Sequence, residues 1–76
     1  MKRGNKMDIK RFYTVYYEPV PSGTYMYIVK FRYKDGTSEF WYSRDHVVLS
    51  YPTLQTARDA AEYYIMGNLA KFTIGE

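Results

Sequence analysis

The chain has 76 residues and no cysteine, which makes one small domain, leaves no room for a cleft between domains and excludes disulfides and thiolate zinc sites. No run approaches the roughly eighteen apolar residues of a helical membrane span, so a soluble, cytoplasmic protein without membrane contact is expected. The net charge of +3 is uneven: Lys2, Arg3, Lys6, Lys10 and Arg11 stand against Asp8 at the start of the chain, and the remainder is slightly negative.

Residues 1–8 read as a flexible basic arm, and residues 9–76 as a single β-β-β-α domain. Residues 9–18, IKRFYTVYYE, are dense in β-branched and aromatic side chains and form the first predicted strand. The Pro19-Val20-Pro21-Ser22-Gly23 loop closes it, and its two prolines disfavour a tight two-residue hairpin. Residues 25–44, YMYIVKFRYKDGTSEFWYSR, form a second hairpin around Asp35-Gly36, the dipeptide favoured where a tight turn needs positive φ.

Taken as a two-residue loop, Asp35-Gly36 sets Arg32 opposite Glu39, Phe31 opposite Phe40 and Lys30 opposite Trp41. Period-two alternation then gathers Tyr25, Tyr27, Val29, Phe31, Tyr33, Phe40 and Tyr42 on a core face. Met26, Ile28, Lys30, Arg32, Lys34, Thr37, Glu39, Trp41 and Ser43 fall on the outer face. With Tyr17 opposite Tyr25, the first strand adds Tyr13, Val15 and Tyr17 to the core, and Lys10, Phe12, Thr14 and Tyr16 to the outer face. The expected sheet has three antiparallel strands in the order 1-2-3.

Residues 45–52 read as a turn followed by a short apolar run, either a small edge strand or an extended approach to a helix. Thr53 is a natural N-cap after Pro52. Leu54, Ala57, Ala61, Tyr64, Ile65 and Leu69 recur at spacings of three and four, which predicts an amphipathic helix of about fourteen residues ending at a C′ Gly67. Its apolar stripe covers the core face of the sheet. Residues 70–74 alternate, and read as an extra edge strand or a packed tail. The fold class is therefore α+β, a small antiparallel sheet with one C-terminal helix packed on one side.

Catalytic chemistry finds little support. His46 is the only histidine, and Asp45 beside it in an extended segment points to the other face, so the two do not form a base and its orienting acid. A turn residue is the better account of His46. The scattered carboxylates show no metal-ligand spacing, and the glycines form no phosphate-binding loop. A non-enzymatic protein without a cofactor is expected.

The outer face carries the interest. Lys10, Lys30, Arg32 and Lys34 interleave there with Phe12, Tyr16 and Trp41, cations for phosphates and rings for bases and sugars. The stretch Tyr51-Pro52-Thr53-Leu54-Gln55-Thr56-Ala57-Arg58-Asp59-Ala60-Ala61, following three strands with an Asp-Gly hairpin, resembles the arm-type and AP2-like DNA-binding domains of integrases. That resemblance implies a sheet facing DNA with the helix supporting it from behind. Nucleic acid or a nucleoprotein is thus the favoured partner.

A second reading takes the same tyrosines, tryptophan, methionine and arginine as a protein interface. The weakly negative body suits a stoichiometric inhibitor or accessory protein of phage or other mobile-element origin, of the anti-CRISPR-like kind that blocks bacterial defence complexes. Self-association into a homodimer, through the outer face or the 70–74 edge, is a third.

Overall fold

A computed structural model describes residues 5–72, with side chains from residue 9 onward. Strands β1 (Asn5–Ile9), β2 (Tyr13–Pro19), β3 (Tyr25–Arg32) and β4 (Ser38–Phe40) form one antiparallel sheet in sequential order. Helix α1 (Leu54–Met66) packs across β2 and β3 on one face, and a short turn of helix, α2 (Leu69–Phe72), follows it. The α+β class, the sequential antiparallel sheet and the C-terminal helix on one face are as the sequence predicts.

The predicted first strand is two strands. The chain reverses at residues 10–12, where the Lys10 N–H donates to the Tyr13 carbonyl at 2.8 Å, and β1 pairs back along β2. No glycine or proline marks this turn, so nothing in the local chemistry announces it. Residues 5–8, read as part of a flexible arm, belong to β1; residues 1–4 of that arm lie outside the described residues. Along β2 and β3, Tyr17 faces Tyr27 rather than Tyr25. A shift of two keeps every side chain on its expected face, so Tyr13, Val15, Val29 and Phe31 are core residues as predicted.

Three of the loops share one geometry, which the sequence reading did not anticipate. In three places a three-residue loop is closed by a pair of hydrogen bonds, with a left-handed residue in the third loop position. Val20 N–H donates to Thr24 O at 3.1 Å and Gly23 N–H to Val20 O at 2.9 Å. Tyr33 N–H donates to Thr37 O at 2.8 Å and Gly36 N–H to Tyr33 O at 3.1 Å. Ser43 N–H donates to Val47 O at 2.7 Å and His46 N–H to Ser43 O at 3.0 Å. The third loop residues have φ of 89° at Gly23, 92° at Gly36 and 62° at His46. This is the type I turn with a following bulge that three-residue hairpins adopt.

The middle loop corrects the predicted faces of β4. Asp35-Gly36 occupies the second and third positions of a three-residue loop that begins at Lys34, so Lys30 faces Phe40, Phe31 faces Glu39 and Arg32 faces Ser38. One extra loop residue inverts the strand. Trp41 and Glu39 move to the helix side; Phe40 moves to the outer face. The Asp35 carboxylate fixes this loop by accepting from the Thr37 hydroxyl at 2.6 Å and the Thr37 N–H at 2.9 Å, which holds its pKa below the usual value, the hydroxyl contributing most.

After Trp41, whose N–H still donates to the Val29 carbonyl at 2.8 Å, the chain leaves the sheet as a fourth hairpin over residues 42–50, held by the Tyr42 to Val48 bridge. It returns to the edge of β3, where Tyr51 and Tyr27 exchange two backbone bonds of 2.8 Å. Thr53 then caps α1 in a reciprocal box with Thr56: Thr56 N–H donates to the Thr53 hydroxyl at 3.1 Å and Thr53 N–H to the Thr56 hydroxyl at 3.4 Å. Gly67 ends α1 as its C-cap, but with φ of −82°, so the left-handed C′ conformation is not used.

Ala57, Ala61 and Ile65 bring α1 close to Val15, Val29 and Phe31. The two alanines are fully buried, and their small side chains let the aromatic residues of the sheet approach the helix backbone. Leu69, assigned by spacing to the buried stripe, is half exposed because α1 stops before it. Its place is taken by Phe72, buried against Phe12, Phe31 and Tyr33 at centroid separations of 5.8, 5.5 and 5.3 Å. Of the two readings of 70–74, an edge strand or a packed tail, the strand is not formed through Phe72, where the chain is helical and packs on the core; residues 73 and 74 lie outside the described residues.

Candidate binding face

The outer face of the sheet is built in rows by the register of β2, β3 and β4. Thr14, Lys30 and Phe40 form one row, Tyr16 and Ile28 the next, Glu18 and Met26 the third. The Tyr16 and Phe40 rings meet at 5.5 Å and an interplanar angle of 57°, and the Lys30 ammonium lies 5.2 Å from the Phe40 ring centre. Lys30 thus lies over the ring of Phe40 and not beside Trp41, its expected cross-strand neighbour.

Of the seven predicted site residues, Tyr16, Lys30 and Arg32 come together on this face. Arg32 also has a structural task. Its guanidinium donates to the Thr14 hydroxyl at 2.6 Å and to the Tyr13 carbonyl at 3.3 Å. Thr14 is the one buried polar side chain among the described residues, 3% exposed, and this bond satisfies it. The predicted pair of Arg32 with Glu39 is not formed, since Glu39 lies across the sheet.

Two predicted residues are on the wrong side. Trp41 packs with the helix, its ring 5.1 Å from Phe31, 5.2 Å from Tyr64 and 6.0 Å from Tyr51. Phe12 lies in the β1–β2 turn and packs on Phe72, with the Arg11 guanidinium 4.8 Å from its ring centre. The remaining two, Lys10 and Lys34, occupy neighbouring turns at one end of the sheet. Arg32 N–H donates to the Phe12 carbonyl at 2.8 Å, and Lys34 N–H to the Lys71 carbonyl at 3.0 Å, so the β1–β2 turn, the end of β3, the β3–β4 turn and α2 are tied together. This end carries Lys10, Arg11, Arg32, Lys34 and Lys71, with Lys30 one row inward, against the carboxylates of Asp35 and Glu39. Lys71 is steadied by donating to the Tyr64 hydroxyl at 3.1 Å.

At the other end of the outer face the 42–50 hairpin rises beside the sheet and encloses an open groove of about 440 Å³. Val20, Met26, Ile28, Tyr42, Val47 and Val48 line it, with Glu18, His46 and Ser50 as its polar groups. Ile28 points outward and is nevertheless 1% exposed: the hairpin wall covers it. The sequence reading missed Phe40, Tyr42 and this groove. The usable signal was the Asp35 and Thr37 pair, whose side-chain bond suits a three-residue loop.

On the helix side, Tyr13 donates to the Glu62 carboxylate at 2.7 Å. Burial, reinforced by that bond, pushes the phenol up to about 12. Among the described residues no group of three or more His, Cys, Asp or Glu is arranged to hold a metal ion, and no helix is long and apolar enough to cross a membrane. Comparison with protein-family models, curated proteins and solved structures finds no match to this chain.

Proposed function

We propose that the protein is a non-enzymatic nucleic-acid-binding module that holds phosphates at the basic end of its sheet and presents Tyr16 and Phe40 to bases or sugars. The observation that carries this reading is the placement of Lys30 and Arg32 on the outer face beside the paired Tyr16 and Phe40 rings, with Lys10 and Lys34 in the two turns that adjoin this end of the sheet. Cations in such a cluster gain by releasing the counterions condensed on a polyanion. The helix lies behind the outer face, the arrangement that the resemblance to integrase arm-type domains implies. The experiment is fluorescence anisotropy with mixed-sequence DNA and RNA at several salt concentrations. Lys30→Glu combined with Lys34→Glu should weaken binding by at least about ten-fold and flatten the salt slope. Arg32 is left intact because its removal would strand the Thr14 hydroxyl. Absence of binding by the unaltered protein at low salt refutes the reading.

The apolar groove beside the 42–50 hairpin favours a second reading, a protein interface such as that of a phage-encoded inhibitor or accessory protein. A partner that remains bound after nuclease digestion, and is lost on Val47→Glu, supports this second reading over the first.

A further inference from the structure

We infer that the ligand of the outer face is a single polynucleotide strand rather than a duplex, with one unstacked base lodged in the groove beside the 42–50 hairpin. The inference rests on the nucleic-acid reading and adds the form of the ligand. The rows of the outer face run without a break from cations to rings to groove: Arg32, then Lys30 and Phe40, then Tyr16, then Met26 and the hairpin wall. A single strand presents the same sequence of features, phosphates for the cations and exposed base faces for the rings. A duplex hides its base faces by stacking, so it has nothing to offer Tyr16, Phe40 or an apolar groove.

The shape points the same way. A sheet that reads duplex DNA must enter a major groove about 12 Å wide. Here the 42–50 hairpin stands on that same side of the sheet and walls the groove next to Met26 and Ile28, an obstruction to a rigid duplex and not to a flexible strand. The groove is an asset only to a ligand that turns a base out: apolar walls from Met26, Val47 and Val48 suit the faces of a flat heterocycle, and Glu18 and Ser50 suit its polar edge.

The test is anisotropy at one salt concentration with a short mixed-sequence DNA strand, the RNA strand of the same sequence, and the DNA duplex. The single strands should bind at least about ten-fold tighter than the duplex, and the ratio between DNA and RNA identifies which sugar is preferred. Val47 is 64% exposed on the groove wall, so Val47→Asn leaves the fold intact and adds no charge; it should weaken single-strand binding by about ten-fold, the worth of one base contact, and leave duplex binding unchanged. Val48→Thr, nearly the same size, provides a milder change in the same direction. Equal or tighter binding of the duplex overturns this inference while leaving the nucleic-acid reading standing, and so does unaltered single-strand binding in both variants. Failure to bind all three probes overturns the nucleic-acid reading itself.

Discussion

His46→Gly should stabilise the protein, and the amount follows from the loop geometry. His46 sits at φ of 62° in the same third loop position that glycine fills at residues 23 and 36. A side chain in the left-handed region costs about 1–2 kcal/mol, and replacing it by glycine returns about 0.4–1 kcal/mol through the greater freedom of the unfolded chain. His46 is exposed, so little packing is lost. The net gain is about 0.5–1 kcal/mol, or an increase in Tm of about 2–8 °C for a domain of this size. Gly36→Ala is the mirror experiment. A Cβ there meets nothing within 4 Å, so the backbone term acts alone and stability should fall by a similar amount. Urea titration should move the midpoint in both variants without changing the slope. If His46→Gly is neutral or destabilising while Gly36→Ala is costly, the equivalence of the two loops is wrong.

Trp41→Ala should cost about 2–4 kcal/mol, because the ring supports Phe31 and Tyr64 under the helix, whereas Phe40→Ala on the outer face should cost about 1 kcal/mol; paired denaturation curves measure the difference. Alkaline unfolding should reveal Tyr13. Its pKa is raised to about 12 from 10, so its contribution is complete below pH 10 and lost as pH rises from 10 to 12. Tyr33 and Tyr51, also raised by burial, act in the same direction. Tyr13→Phe should cost about 1 kcal/mol at neutral pH and make the alkaline decline of Tm less steep, read by thermal scans across that interval.

Those features that rest on periodicity were legible in the sequence. Ala57, Ala61 and Ile65 mark the buried stripe of α1, Thr53 marks its start, and Val15, Val29 and Phe31 alternate into the core as expected. Hydrophobic periodicity does not reveal the inversion of β4, which only the Asp35 and Thr37 pair signals, for a physical reason. Phe40, Trp41 and Tyr42 are consecutive aromatics, so either register offers a ring to each face and the hydrophobic pattern does not choose. The loop chooses, and Asp35-Gly36 suits both a two-residue and a three-residue connection. The binding face was accordingly read half correctly: Tyr16, Lys30 and Arg32 sit on strands with a clear alternation, while Trp41 follows the ambiguous loop and Phe12 lies in an unmarked turn. Phe72 was read only as part of an alternating tail because a buried ring in a single helical turn leaves no periodic trace.

The length of the Lys34 loop has a consequence for how this surface varies. Because neighbouring side chains point opposite ways, the parity of a connection decides which ring meets the solvent. Loss of a single codon in the β3–β4 connection would exchange Phe40 for Trp41 on the exposed side and trade an ammonium resting on a benzene ring for one resting on an indole, at the expense of the helix contacts of Trp41. Two surfaces of different recognition chemistry are thus one deletion apart, and the aromatic triplet at residues 40–42 is what keeps both of them furnished.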